Sequence, residues 1–240
     1  MKVVVVTGAT RGLGFAIARQ CLADGYKVVA VGRTKTGPLN ALLEQYGERI
    51  AFERYDFSDT AGIHSFAVEI VKRHGRPWGL VNNAAIGTDG VLATLHEKDI
   101  AELITINIEA PILLTKYLLR PMLLNRCGRI VNISSIIAST GFNGLSVYGA
   151  TKAAMAGFTK SLAREVGKAN ITVNTLAPGF METGMTSKLQ GDKVESIKRR
   201  SSSGQLASVE DAAHAVSYLL SDKAERVTGT TITVDAGTTA

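Results

Sequence analysis

An α/β fold, with a doubly wound parallel sheet covered by helices on both faces, is the class this sequence predicts. Three observations carry that expectation. Apolar strand runs alternate with helical stretches along the whole chain. Several runs are continuous and β-branched, as strands buried on both faces are, instead of alternating apolar with polar. The first run passes through a glycine turn into a helix, which is how a right-handed βαβ crossover begins.

Lys2-Val3-Val4-Val5-Val6-Thr7 is the first strand, and it runs into Gly8-Ala9-Thr10-Arg11-Gly12-Leu13-Gly14 and the helical pattern Phe15 to Leu22. Strand, glycine turn and helix in that order set a pyrophosphate against free N–H groups at a helix N-terminus. Gly8 permits a tight turn, Gly12 lets backbone approach phosphate, and Gly14 lets the helix pack on the strand. The spacing is G-x-x-x-G-x-G, not the common G-x-G-x-x-G. A glycine cluster can be an ordinary turn, but its place between a buried strand and a helix favours nucleotide binding. Gly8, Thr10, Arg11, Gly12, Leu13 and Gly14 are the candidate contacts.

Further strands are expected at 28–31, 50–55, 78–82, 129–133, 171–176 and 231–234, seven in all. Helices are expected at 60–74, 98–125, 146–167 and 209–221. Residues 180–206 break the rhythm: they are polar and rich in Gly, Ser, Lys and Thr. A long irregular insert in a compact domain is usually a lid or binding loop. No internal repeat or boundary divides the chain, so residues 1–240 are expected to form one domain.

Within the 146–167 helix, Tyr148 and Lys152 stand four apart and share a face, with Ser135 upstream. A free phenol ionises near pH ~10. An ammonium beside it favours the phenolate, and a fall of about three units would correspond to roughly 4 kcal/mol. The pair alone is also what a solvated helix face looks like.

Together these segments resemble the short-chain dehydrogenase/reductases over almost the whole chain. T-G-x-x-x-G-x-G stands at Thr7 to Gly14, and the family's Ser, Tyr and Lys match Ser135, Tyr148 and Lys152. Asp56, Asn82-Asn83-Ala84, Asn107, Pro178-Gly179 and Val234-Asp235-Ala236-Gly237 fall in the expected order. Two departures are Ala85 for the glycine of N-N-A-G and Ala236 for the first glycine near the C-terminus. Each adds a methyl group and is read as tolerated.

The resemblance implies a Rossmann-type sheet in the order 3-2-1-4-5-6-7, a nicotinamide cofactor and a homotetramer packed through helices 98–125 and 146–167. It assigns Tyr148 as proton donor to a substrate carbonyl and Ser135, not Ser134, as the group polarising that oxygen. Lys152 tunes the phenol and bonds the nicotinamide ribose. Asn107 anchors a relay to the lysine. Asn82, Pro178, Gly179, Met181 and Thr183 join the glycine turn as cofactor contacts. Asp56 bonds the adenine amino group, though it could instead cap a helix.

Charge argues the cofactor type. NAD-specific relatives end the second strand with an acidic residue on the ribose hydroxyls. Gly32 and Arg33 stand there instead, and Arg33 with Arg11 can meet a 2′-phosphate, which favours NADP(H). Either arginine could also be a plain surface residue.

Composition bounds the alternatives. The 240 residues are 45% hydrophobic, enough for a sizeable core. No apolar run approaches a membrane span, no leader segment is expected before the first strand, and two distant cysteines suggest reduced packing residues. A cytoplasmic protein is expected. Four scattered histidines make no metal site. Net charge is +6, but the basic residues are spread out and lack aromatic interleaving, so nucleic acid is not expected.

Gly128 to Ser135, Ser161 to Val166 and Ala177 to Thr183 resemble the β-ketoacyl-acyl-carrier-protein reductases. The expected reaction is therefore NADPH-dependent reduction of a β-ketoacyl thioester to a secondary alcohol. A broad carbonyl reductase acting on a small ketone, sugar or steroid is the alternative. A non-catalytic nucleotide sensor is disfavoured by the intact Asn107, Ser135, Tyr148 and Lys152. If a carrier protein is used, Arg126 is expected to help dock it beside the active-site mouth. The second basic contact of such relatives falls at Ala169, with Lys168 displaced by one residue.

Overall fold

The computed structural model describes residues 1–181 and 192–240. Seven strands form one parallel sheet in the order β3-β2-β1-β4-β5-β6-β7. They are β1 (Val3–Thr7), β2 (Lys27–Gly32), β3 (Ile50–Arg54), β4 (Gly79–Asn82), β5 (Gly128–Ile133), β6 (Ile171–Pro178) and β7 (Thr231–Val234). Between them run α1 (Gly12–Ala23), α2 (Gly37–Tyr46), α3 (Ile63–His74), α4 (Glu97–Ile104), α5 (Ala110–Asn125), α6 (Ile137–Thr140), α7 (Ser146–Val166), α8 (Asp192–Arg200) and α9 (Val209–Leu220).

The two-residue period of β1 explains why one valine run can serve two cores. Val4 and Val6 face a cluster with Ile17 and Leu22 of α1, Leu39 of α2 and Val216 and Leu219 of α9. Val3 and Val5 face a second cluster with Ile63 and Ile70 of α3, Leu114 and Leu118 of α5 and Leu162 and Val166 of α7. The sheet is thus covered on both faces, as parallel sheets require.

The structure differs from the sequence reading in several elements. The helix expected over 98–125 is interrupted by a π-helical turn at Thr105–Glu109, between α4 and α5. Pro111, in the first turn of α5, has no N–H to offer the Asn107 carbonyl in α-helical register. The 180–206 insert is not wholly irregular, since α8 occupies its second half. Helix α2 is an addition to the expected elements, although Thr36 caps it by accepting from Leu39 N–H and Pro38 stands in its first turn.

Candidate active site

The strand order reverses between β1 and β4, the point at which α/β sheets bind ligands in a crevice beyond the carboxyl ends of the strands. Thr7 closes this crevice at its base. Its Oγ1 accepts from the N–H groups of Asn83 and Ala84, each at 2.9 Å, and donates to Val81 C=O at 3.2 Å. Asn83 returns the tie, donating from Nδ2 to Thr7 C=O at 2.8 Å. These polar bonds fix the glycine turn against the end of β4.

The turn itself is shaped for a close-lying ligand. Gly8 and Gly12 adopt φ of +65° and +57°, a region side-chain-bearing residues disfavour. A Cβ at Gly14 would collide with the Gly8 carbonyl and with Asn83 Nδ2. Among the described residues, no side chain caps the first turn of α1, so its N–H groups are left for another acceptor. Leu13 turns its side chain into the core, leaving only backbone for a ligand. This cradle fits a pyrophosphate.

Beside it, the β2–α2 connection is tied to the turn: Ala9 N–H donates to Val31 C=O at 3.1 Å and Thr36 Oγ1 to Thr10 C=O at 2.7 Å. Arg11 and Arg33 are both exposed on these neighbouring segments. Asp56 follows β3, exposed, and its carboxylate accepts from Ser58 N–H and Oγ. The bond from Ser58 N–H is the main cause holding its pKa below the ordinary carboxylate value, and the nearby Arg33 charge adds to it. Asp56 therefore folds a local turn and does not cap α3, whose N-cap is Gly62.

Asn82 ends β4. It is 5% exposed, and its Nδ2 donates to Thr115 Oγ1 at 2.9 Å and to Asn132 Oδ1 at 2.8 Å. From Asn132 the network continues to Thr159 and Thr175. The Asn82 side chain thus braces β4 against β5 and α5. Asn83, not singled out by the sequence reading, is the amide that touches the turn.

At the far side of the crevice β5 ends in Ser134 and Ser135. Ser134 is used structurally: its N–H donates to Leu176 C=O at 2.7 Å and its Oγ to Lys152 C=O at 2.7 Å. Ser135 Oγ accepts from Ile137 N–H at 3.2 Å, and the Ser135 side chain acts to lower the Tyr148 pKa. Lys152 is 4% exposed, and its Nζ donates to Ile133 C=O at 3.0 Å and sits 5.6 Å from the Tyr148 ring centroid. Asn107, in the π turn, grips Ile86 by both backbone groups and donates to Thr151 Oγ1 at 3.2 Å. Thr151 Oγ1 donates in turn to Tyr148 C=O at 2.7 Å. Ser135, Tyr148, Lys152 and Asn107 are thus brought together at the carboxyl edge of the sheet.

The electrostatics reverse one expectation. Burial raises the Tyr148 pKa, with the Ser135 side chain partly opposing it, and Lys152 does not figure among the causes. Lys152 is itself desolvated, which lowers its pKa to about 8. The lysine ammonium lies beside the ring and is turned to a backbone carbonyl, so the phenol keeps its proton at neutrality. That suits an acid more than a base.

Pro178 and Gly179 close the crevice on the β6 side. Pro178 C=O accepts from Ile136 N–H at 3.1 Å, and Gly179 N–H donates to Val234 C=O at 2.9 Å. A Cβ on Gly179 would stand 2.7 Å from the Asp235 Cβ. Met181 is buried against the first core cluster, while Thr183 lies outside the described residues. Ala236 adopts φ of +56°, so the methyl it carries in place of glycine is strained, not neutral. Arg126 lies at the amino end of β5. A six-residue strand rises roughly 20 Å, so Arg126 and Lys168, whose carbonyl it bonds, stand at the opposite edge from Ser135. Docking of a carrier on Arg126 beside its own chain's mouth is therefore corrected.

Among the described residues, no group of three His, Cys, Asp or Glu could hold a metal ion, and no helix is long and apolar enough to cross a membrane.

The comparisons with known proteins agree with this geometry. The family model described as short chain dehydrogenase matches residues 2–194. The 3-oxoacyl-[acyl-carrier-protein] reductase FabG of Salmonella typhimurium is 38% identical over 236 residues, covering 98% of this chain and 96% of the relative. The Escherichia coli protein of the same name is 37% identical over the same shares. A double mutant of a Serratia marcescens short-chain dehydrogenase/reductase superposes with TM-score 0.91 at 28% identity, covering 100% of this chain and 98% of that one. The chain is an oxidoreductase acting on CH-OH groups with a nicotinamide cofactor, and it belongs to the short-chain dehydrogenase family.

Proposed function

We propose that this chain reduces the 3-oxo group of an acyl thioester borne on acyl carrier protein, using NADPH. The observation that carries this reading is a near full-length likeness, at 37–38% identity, to reductases named for that substrate, with Ser135, Tyr148 and Lys152 clustered at the crevice. A bound nicotinamide supplies the hydride. Tyr148 gives its proton to the carbonyl oxygen, and Ser135 holds that oxygen where charge develops. Lys152, buried beside the phenol ring, would bond the nicotinamide ribose. Arg11 and Arg33, exposed on adjoining loops, would hold the 2′-phosphate. The whole chain acts as one domain in the cytoplasm. Exposed Ile104, Leu123 and Leu124 on α4 and α5 support assembly into a homotetramer through helices 98–125 and 146–167.

NADPH oxidation, followed with acetoacetyl-carrier protein, a free acetoacetyl thioester, a diketone and a ketosugar, tests the reading. The highest kcat/KM is expected with the carrier-bound substrate. A second reading, a broad carbonyl reductase, is favoured by the distance of Arg126 from its own chain's mouth. It predicts no advantage of the carrier over the free thioester.

A further inference from the structure

Gly32 ends β2 where NAD-using α/β proteins place an acidic residue on the ribose hydroxyls. Its φ is not among the positive ones, so the backbone there does not demand glycine. Space does. A Cβ built on Gly32 would stand 2.6 Å from Thr10 Cγ2, with Thr10 Oγ1 and Cβ at 3.6 and 3.7 Å. One methyl group makes the conflict.

Neither side can easily give way. Gly32 is held in register opposite Arg54, and its carbonyl accepts from Tyr55 N–H at 3.0 Å. Thr10 is pinned from behind, since its carbonyl accepts from Thr36 Oγ1 at 2.7 Å. Thr36 is fixed in turn as the N-cap of α2. The preceding residue, Ala9, donates to Val31 C=O. Thr10 is also β-branched and stiff about χ1.

We propose that Thr10 and Gly32 form one packing unit that sets nucleotide choice. The Thr10 methyl fills the room a side chain at position 32 would need, which shuts a ribose-binding carboxylate out of the end of β2 and leaves that end to Arg33. Selectivity then arises by exclusion as well as by attraction. This rests on the NADPH reading above, and it adds Thr36 as the residue positioning Thr10.

The test is a cycle of Gly32→Asp, Thr10→Ser and the double variant. Thr10→Ser deletes only the obstructing methyl and keeps the hydroxyl. Dissociation constants for NADH and NADPH are read from nicotinamide fluorescence, and melting temperatures are taken without nucleotide. Gly32→Asp alone is expected to lower the melting temperature and to leave NADH affinity near wild type. The double variant should recover most of the melting temperature and bind NADH about tenfold more tightly than Gly32→Asp does, a non-additive result. Equal NADH affinity in the single and double aspartate variants overturns the proposal.

If Gly32→Asp does not fold, Gly32→Ala with and without Thr10→Ser reads the same contact by melting alone, and additive shifts overturn the packing unit. A wild-type chain that binds NADH more tightly than NADPH overturns the cofactor reading and with it the selectivity role. The melting cycle still decides the packing contact on its own.

Discussion

Asn107 holds Ile86 by both of its backbone groups: Oδ1 accepts from Ile86 N–H and Nδ2 donates to Ile86 C=O, each at 2.9 Å. One side chain thereby does what a neighbouring strand would do, fixing the segment after β4 across the crevice. Its second amide hydrogen reaches Thr151, and through Thr151 the turn of α7 that bears Tyr148. The π turn brings Asn107 inward, as such bulges often do at functional sites. Asn107→Ala leaves Ile86 unpaired and is expected to cost about 2 kcal/mol of stability, measured by urea denaturation. Turnover should fall as well, because the Tyr148 turn loses a tether. An unchanged denaturation midpoint would remove Asn107 as a brace.

Tyr148→Phe keeps the ring and removes the proton. It is expected to bind NADPH within a few-fold of wild type while losing at least about a hundredfold in kcat. Isothermal titration and steady-state rates separate the two effects. Loss of binding in step with turnover would mean that the phenol is a cofactor anchor instead of the acid.

Arg33→Asp exchanges an attraction to the 2′-phosphate for a repulsion, at a position whose charge already reaches Asp56. The ratio of kcat/KM for NADPH over NADH is expected to drop by at least about tenfold. An unmoved ratio leaves Arg33 a surface residue.

Much of this was legible in the sequence because buried parallel strands and glycine turns write themselves in residue type. The Val3 to Thr7 run and Gly8, Gly12 and Gly14 carry their own geometry, and the order of Ser135, Tyr148 and Lys152 places them at one edge. What was not legible depends on contacts between distant segments. Apolar periodicity does not record the one-residue slip of the π turn, although Pro111 signals it. Asn82 and Asn83 are alike as letters, and only packing shows that Asn82 braces the sheet while Asn83 reaches the glycine turn. The Tyr148–Lys152 spacing gives proximity, whereas burial decides which way the phenol shifts. Arg126 matched a motif, but the strand between it and Ser135 puts them at opposite edges.

Ala236 occupies the left-handed region with φ of +56°, where an L side chain costs roughly 1–2 kcal/mol. Its carbonyl is held there by Ser201 Oγ and Ser203 N–H, so the backbone cannot relax. Ala236→Gly relieves the strain but adds freedom to the unfolded chain, which offsets about 0.4–1 kcal/mol. A net gain of about 0.5–1 kcal/mol is expected from chemical denaturation. A loss of stability would show that the strain is not felt.

Lys152 links stability to pH in a way that opposes function. Burial lowers its pKa from 10.5 to about 8, so below about pH 8 the folded chain carries an ammonium the interior disfavours. The shift corresponds to roughly 3 kcal/mol of destabilisation. Between about 8 and 10.5 the unfolded chain binds the proton and the folded chain does not, so stability rises with pH through that window. Lys152→Met removes the charge and keeps the stem. It is expected to melt several degrees above wild type at pH 7, with the gap closing toward pH 10.5, while losing nearly all turnover. The sign for catalysis is opposite: the wild-type rate of carbonyl reduction should fall as pH rises through about 8, because the positive charge of Lys152 beside Tyr148 is lost. Parallel melts and rates from about pH 6 to about 10 read both effects. A methionine variant no more stable than wild type at pH 7 would show that the bond from Nζ to Ile133 C=O offsets the cost of burial, and the alkaline fall in rate would then need another group.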